Sequence, residues 1–296
     1  MLAACRRPTF LQSRQYAAAL ARTEGWHADF GLIRFNGKPI GIVQVQVRRW
    51  LPFLRTCRIH RGPVWIHDEI PGEMLKLVLR ILRRRYHLLA GRPLLFHPEL
   101  ADTDANRLRL EQCGFRRRAE GYGTIWLDLS VGLDALRAGL DQKWRNALSG
   151  AERHGLSLAV DAEGGLFDWL MGPYLEDKLR RGYVGPSPAF LRVLYEVGDD
   201  ASRPVVLQAL HAGRPVAGIL LVRHGRAATY QVGWTSEEGR RLRAHHFLLW
   251  NAAVWLKRAG TAWLDLGGVN DRDAAGIARF KAGMGGRPVT LAGGYV

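Results

Sequence analysis

Two short stretches near the end of the 296-residue sequence carry residue types that chemistry needs. Trp263-Leu264-Asp265-Leu266-Gly267-Gly268 reads as a strand running into paired glycines, and Arg279-Phe280-Lys281-Ala282 follows, with Phe280 13 residues after Gly267. Lys281 is one of only six lysines in a chain that otherwise carries its positive charge on arginine. An ammonium is a compact charge that can meet a phosphate or a developing oxyanion; near a helix end it is equally a solvated surface residue. Asp265 offers a carboxylate that orients a donor or accepts a proton, or else an Asx turn on the loop behind it. Gly267 and Gly268 permit positive φ and close approach of backbone to a ligand, or form a plain turn.

Other candidates are more scattered. Arg180 and Arg181 end a mostly apolar helical stretch that starts at Phe167, where a guanidinium fork suits a diphosphate or carboxylate and also complements the helix dipole. Tyr230 on a strand is placed to hydrogen-bond a substrate or to edge the core. His245-His246 suggests a metal ligand or a base, but no carboxylate or further histidine lies at helical spacing, so a metal site is not expected there. Cys5, Cys57 and Cys113 are too few and too scattered for a disulfide framework or a zinc site and read as free thiols. Gly-x-Ser-x-Gly, the phosphate-binding Gly-x-x-x-x-Gly-Lys-Ser/Thr and His-Glu-x-x-His are all absent from the sequence.

The charge is strongly positive, with 43 basic against 27 acidic side chains. Residues 1–128 carry 22 basic and 11 acidic side chains, and residues 129–296 carry 21 and 16. Such a surplus attracts polyanions such as RNA, phosphorylated precursors or anionic lipid headgroups, although a solvated arginine-rich surface accounts for much of it. Arg83-Arg84-Arg85 ends an apolar helical stretch and reads as dipole complement. The composition, 47% apolar and 24% charged, excludes wholesale disorder and collagen. The longest apolar run falls far below the roughly 18 residues that span a bilayer. No secretory signal is visible, and a cytoplasmic location is expected.

Behind these residues stands a regular order of elements. Asp29–Phe35 and Pro39–Val47 read as strands joined at Asn36-Gly37, a hairpin signal, and Val43, Val45 and Val47 alternate with Gln44, Gln46 and Arg48. Strand, helix, strand, helix and strand follow, up to Tyr122–Leu129. Leu133–Gly155 reads as one helix, Phe167–Arg181 and Pro188–Val197 as two more. A second hairpin crosses Ala212-Gly213-Arg214, and strand, helix, strand, helix (Ala274–Met284) and a single last strand (Pro288–Tyr295) follow. Gly37-Lys38-Pro39-Ile40-Gly41-Ile42 is similar to Gly213-Arg214-Pro215-Val216-Ala217-Gly218-Ile219, with one extra residue in the second copy, and both sit at a hairpin tip. The parallel order predicts an internal duplication, with domains at residues 1–128 and 129–296. The unit resembles the GNAT acyltransferase fold. The expected class is therefore α/β, with two tandem GNAT-like domains, each a mixed, mostly antiparallel sheet flanked by helices.

The Asp265–Gly268 strand end, the Phe280-Lys281 helix and Gly285-Gly286 resemble the C-terminal signature of the FemABX family of aminoacyl-tRNA-dependent peptidyltransferases. The likeness extends to Leu11-Gln12-Ser13 with Gly25-Trp26, Arg61-Gly62-Pro63-Val64, the basic helix Lys143–Gly155, Arg180-Arg181-Gly182-Tyr183, Tyr230 with Gly233, and Leu248–Trp250. It implies transfer of an amino acid from aminoacyl-tRNA to an amine of a phosphorylated or lipid-linked cell-wall precursor, with no cofactor and no metal. Lys281 and Asp265 would be catalytic. Arg180 and Arg22 would bind phosphates, with Phe280, Gly267, Gly268 and Tyr230 completing the substrate site. Peripheral contact with an anionic membrane surface is a further expectation.

The chain departs from the family where members with a tRNA-contacting arm carry a long helical insertion, since Leu133–Gly155 is too short for one. It resembles the arm-less members. Two rivals remain: a GNAT-type N-acyltransferase using acyl-CoA or acyl carrier protein on a small amine, and a non-catalytic basic tandem-GNAT binding module. Of the two turns expected to cradle a CoA pyrophosphate, Arg61–Glu73 does not match Gln/Arg-x-x-Gly-x-Gly/Ala and Trp234–Ala244 keeps only its first glycine. Arg118–Gly123 matches by letter but leads into a strand.

Overall fold

The computed structural model describes residues 1–269 and 271–296. In chain order the first elements are α1 (Arg14–Glu24), β1 (His27–Phe35), β2 (Lys38–Arg49), β3 (Arg55–Gly62), β4 (Val64–Trp65), α2 (Gly72–Arg85), β5 (Leu94–Pro98), α3 (Asp104–Gln112) and β6 (Arg117–Ala119). There follow β7 (Gly123–Asp128), α4 (Leu133–Ala138), α5 (Gln142–Arg153), β8 (Ser157–Asp161), α6 (Phe167–Arg181), α7 (Pro188–Val197), β9 (Val205–His211) and β10 (Arg214–His224). The last are β11 (Ala227–Thr235), α8 (Glu237–Arg241), α9 (Ala244–Arg258), β12 (Trp263–Gly268), α10 (Asp271–Ala282), β13 (Arg287–Thr290) and β14 (Gly294–Tyr295). The class is mixed α/β, with two seven-stranded sheets flanked by helices.

The first sheet has the order β1-β2-β3-β5-β14-β6, with β4 on β2. Its core gathers Val43, Val45, Ile59, Leu79, Phe96, Phe115 and Tyr295. On α2, Leu75, Val78, Leu79 and Leu82 are buried at helical spacing, and Arg83–Arg85 form the last turn as expected. The alternation in β2 predicts one buried and one solvated face, but Gln44 and Gln46 are each only 1% exposed. The N-terminal segment covers that face: Gln44 N–H donates to Gln12 Oε1 at 2.7 Å, and Gln44 Nε2 donates to the Leu11 carbonyl at 3.1 Å. On the same face Gln46 Oε1 accepts from Arg58 Nε.

The second sheet has the order β13-β7-β12-β11-β10-β9-β8. Its core includes Leu207, Ile219, Leu221, Leu264 and Leu266 from the strands and Trp144, Leu148, Leu248, Leu249 and Leu256 from α5 and α9. The pairs β3–β5 in the first sheet and β11–β12 in the second are parallel. By contacts the chain divides into Met1–Gly123 with His224–Arg226 and Val289–Val296, and Thr124–Arg223 with Ala227–Pro288. Against the expected division at Asp128, β7 lies in the second sheet, where Ile125 and Leu127 are core, while Ala292 and Tyr295 are core in the first.

Three expected elements differ. Leu133–Gly155 is two helices, interrupted before Asp141, whose side chain accepts from Lys143 N–H at 2.9 Å as a new N-cap. The single last strand is two strands in different sheets, separated by Gly293 at φ +109°. The segment between β11 and α9 contains the short helix α8.

The duplicated hairpins agree in detail. Asn36 and Gly37 have φ of 47° and 76°, and Ala212 and Gly213 have 48° and 76°, the positive pair that a two-residue hairpin turn with matching twist requires. Phe35 pairs with Lys38 and Arg34 with Pro39, after which Ile40 is skipped and Ile33 pairs with Gly41. His211 pairs with Arg214 and Leu210 with Pro215, after which Val216 is skipped and Ala209 pairs with Ala217. The bulge falls at the same place in both copies. The structure therefore aligns Ile40 with Val216 and Gly41 with Ala217, without the extra residue that the letters suggest.

Candidate functional site

The β11–β12 ladder ends early. Ala227 pairs with Trp263, Ala228 with Leu264 and Thr229 with Asp265, while β11 runs on to Thr235. On the other side of β12, Asp265 pairs with Trp126 of β7, but the next pair is Gly268 with Thr124. This bulge turns the β12 backbone at Gly267, whose φ is +71°. A Cβ on Gly267 would fall 2.9 Å from the Tyr230 carbonyl oxygen, so both the dihedral and the contact call for glycine.

The bulge gathers polar groups around one carboxylate. Asp265 is fully buried. Its Oδ1 accepts from Gly267 N–H at 2.9 Å and from the Thr124 hydroxyl. Thr124 Oγ1 also lies 3.1 Å from the Gly267 carbonyl oxygen. The carboxylate thus holds its own turn.

Lys281 lies in the last turn of α10 and is 7% exposed. Its Nζ donates to the Gly268 carbonyl oxygen at 2.8 Å and sits 5.3 Å from the centre of the Tyr230 ring. Burial pushes its pKa down to about 8, while the Asp265 charge pulls upward. A solvated lysine is thus not what the fold makes of it. Its ammonium is desolvated beside a buried carboxylate and an aromatic face.

Behind Tyr230 lies a pair that the residue spacing left unassigned. His245, in the first turn of α9, meets the Tyr230 hydroxyl through Nε2 at 3.0 Å and the Thr235 hydroxyl through Nδ1 at 2.7 Å. Burial, helped by His246 and Lys281, pushes its pKa down to about 4, so the ring is neutral near pH 7. Burial also raises the Tyr230 hydroxyl above its usual value. Phe280 faces inward, with its ring 4.8 Å from His246, 5.6 Å from His245 and 6.1 Å from Trp144. It braces α10, which holds Lys281 in place.

Thr235 also lines a surface cleft of about 420 Å³ together with Arg180, Asp177, Trp234 and Arg240. Arg180 is tied to Asp177 at 2.6 Å. The expected site residues Lys281, Asp265, Gly267, Gly268, Tyr230 and Phe280 therefore come together, with Arg180 on the adjoining cleft. Arg22 is an exposed residue in the last turn of α1, in the other contact unit. Thr235 and Thr124 were not singled out for a role, and His245 stood out only as half of the His245-His246 pair. Thr124 lies 141 residues from its partner, and nothing in its sequence surroundings marks it.

The other unit has a cleft of its own, about 260 Å³, lined by His60, Arg61, His97 and Tyr122 among others. The two histidine rings lie 4.7 Å apart, and burial with His97 pushes the His60 pKa down to about 3. Arg61 and Glu99 form a buried ion pair at 2.8 Å.

The acetyltransferase (GNAT) domain model matches residues 134–282. Among solved structures, FemX superposes with a TM-score of 0.78 at 16% identity over 99% of this chain and 93% of its own. The C-terminal domain of a putative lysylphosphatidylglycerol synthetase from Agrobacterium fabrum gives 0.53 at 16% identity, over 96% and 86%. A conserved protein of unknown function from Bacteroides thetaiotaomicron gives 0.62 at 13% identity, over 98% and 91%. No curated protein matches the sequence.

Proposed function

The chain belongs to the acetyltransferase (GNAT) domain family, and from that premise we propose that it is an aminoacyltransferase that moves an amino acid from aminoacyl-tRNA to an amine of a cell-wall precursor. The observation that carries this reading is the buried ammonium of Lys281, held between the Gly268 carbonyl and the Tyr230 ring. The amine attacks the ester carbonyl, and the carbonyl oxygen becomes an oxyanion that a desolvated ammonium stabilises. The carbon–oxygen bond to the ribose then breaks. The ester is already activated, so proximity and charge do most of the work. Lys281 is the catalytic residue, meeting the oxyanion or the donor phosphate. Asp265 is a positioning residue that fixes the Gly267–Gly268 turn. Arg180, with Trp234 beside it, offers the acceptor a cleft wall.

The FemX-like fold and the lysylphosphatidylglycerol synthetase neighbour, whose name denotes an aminoacylated lipid, support transfer of an aminoacyl group. The net charge of +16 favours a nucleic acid donor and contact with anionic lipid. No described helix is long and apolar enough to cross a membrane. Acyl-CoA or acyl carrier protein is the rival donor, favoured by the family's name. Against CoA stands the segment after β11, which keeps only the first glycine of the pyrophosphate-cradling pattern and whose helix α8 opens on Glu237 and Glu238.

Titration of the purified chain with aminoacyl-tRNA and with acetyl-CoA at two salt concentrations tests the reading. We expect tRNA to bind more tightly, with affinity falling steeply as salt rises. Tight, salt-insensitive CoA binding without tRNA binding establishes the rival instead. Binding of tRNA with no transfer from it to any amine leaves the chain a binding module.

A further inference from the structure

An amine that adds to an ester must shed a proton, and the departing oxygen must gain one. Asp265 is buried and committed to Thr124 and Gly267. Lys281 donates to the Gly268 carbonyl. His245 is the buried titratable group that neither role uses, and both of its ring nitrogens are engaged, Nε2 by Tyr230 and Nδ1 by Thr235. Thr235 in turn lines the 420 Å³ cleft. A continuous chain of side-chain hydrogen bonds thus leads from the Tyr230 hydroxyl to a surface cleft.

Resting on the transferase reading, we propose that Tyr230, His245 and Thr235 form a two-way proton relay, in which Tyr230 touches the reacting amine and the other two are positioning residues behind it. As the amine nitrogen bonds to the ester carbonyl carbon, Tyr230 Oη takes a proton from that nitrogen while the tyrosine's own proton passes to His245 Nε2. The Nδ1 proton passes to Thr235 Oγ1, and the threonine proton passes to water in the cleft. When the tetrahedral intermediate collapses, the carbon–oxygen bond to the ribose breaks and the departing oxygen takes a proton from Tyr230, while the same shifts run backward. Amide and alcohol are formed, the ring regains its first tautomer, and no net proton stays in the relay.

Two further features favour this role. The groups that face His245 are Tyr230 and Thr235 from β11, Phe280 and Lys281 from α10, and His246 from its own helix. Together with burial they keep the ring neutral, the state in which one nitrogen donates and the other accepts. Residue 233 is also glycine where a side chain would break the chain of bonds. A Cβ there would fall 2.7 Å from His245 Cε1 and collide with the Tyr230 hydroxyl.

The test is single-turnover transfer by the full chain as Thr235→Val, Thr235→Ser and His245→Gln, using whichever donor the wild type accepts, aminoacyl-tRNA or acetyl-CoA. Valine keeps the shape of threonine and removes only the hydroxyl. We expect Thr235→Val to slow transfer about 10-fold with donor affinity and thermal midpoint unchanged, Thr235→Ser to recover most of the rate, and His245→Gln to slow it about 100-fold, within the usual range of proton-transfer catalysis. Wild-type rates in Thr235→Val overturn the relay, and that pair decides even where His245→Gln fails to fold. If the wild type uses only acetyl-CoA, the tRNA reading falls and the same variants still judge the relay. If it uses neither donor, nitrogen NMR of His245 decides. A ring that titrates near its ordinary 6.5, or whose tautomer ignores Thr235→Val, overturns the relay.

Discussion

Thr124 and Asp265, 141 residues apart, meet as a buried hydroxyl–carboxylate hydrogen bond in the bulge between β7 and β12. The bond holds the carboxylate where its Oδ1 also receives Gly267 N–H. The Gly268 carbonyl that anchors Lys281 is carried by the same turn. The position of the lysine therefore depends on a threonine that touches neither it nor any substrate.

Thr124→Val leaves a buried carboxylate short of one donor. We expect a stability loss of about 1–3 kcal/mol, read as a lower urea midpoint, with transfer slowed through displacement of Lys281. Thr124→Ser restores the donor and recovers most of both. A valine variant as stable and as active as the wild type shows that the hydroxyl is not needed.

Lys281→Ala removes the buried ammonium. The expected loss is about 2–4 kcal/mol of transition-state stabilisation, or roughly 30- to 1000-fold in single-turnover rate. Lys281→Arg rescues only in part, since a planar fork does not replace a point charge. Full activity in Lys281→Ala removes this residue from the site.

The depressed pKa of Lys281, about 8, sets a pH limit with a definite sign. Activity that needs the ammonium declines as pH rises through about 8, and Lys281→Arg shifts that decline upward. Stability moves the other way. Between about pH 8 and the unfolded value near 10.4 the unfolded chain binds more protons, so this lysine's contribution grows with pH. A rate profile flat to pH 10 contradicts the assignment.

Buried histidines act at the acid end. The pKa of His60 is pushed down to about 3 and those of His245 and His246 to about 4, all mainly by burial. Their contribution is present above the unfolded value near 6.5 and is lost as pH falls toward 4. The thermal midpoint should drop across that window, and His60→Gln should flatten part of the slope. An unchanged midpoint between pH 7 and 4 argues against neutral, buried rings.

The second hairpin carries alanine where the first carries asparagine. Ala212 sits at φ +48°, a conformation that costs an L-residue with a Cβ roughly 1 kcal/mol and that asparagine tolerates better. Ala212→Asn should raise stability by about 0.5–1 kcal/mol with activity unchanged, measured by denaturant midpoint. A lower midpoint contradicts the turn geometry.

Much of this was legible in the residues alone. Apolar spacing reports which face of its own element a residue buries, so α6 and α7 were read at their observed limits. Asn36-Gly37 marked the first hairpin tip, because few residue pairs accept positive φ twice in succession, and the likeness of Gly213-Arg214-Pro215 to Gly37-Lys38-Pro39 marked the second. The glycines after Asp265 and the rarity of lysine singled out the end of β12 and the last turn of α10, which the fold brings together. Periodicity says nothing, however, about which distant element covers a face. Gln44 and Gln46 alternate like solvated residues and are both buried, Gln44 against the N-terminal segment and Gln46 beside Arg58 of β3. The strands β7 and β14 take their places in the second and first sheets through pairing choices that only packing settles. The same holds for chemistry. Lys281 and Asp265 stand out by type and spacing, but a carboxylate that is wholly buried, a threonine from another strand and a histidine bonded on both nitrogens are contacts between elements, and they exist only once the chain has folded.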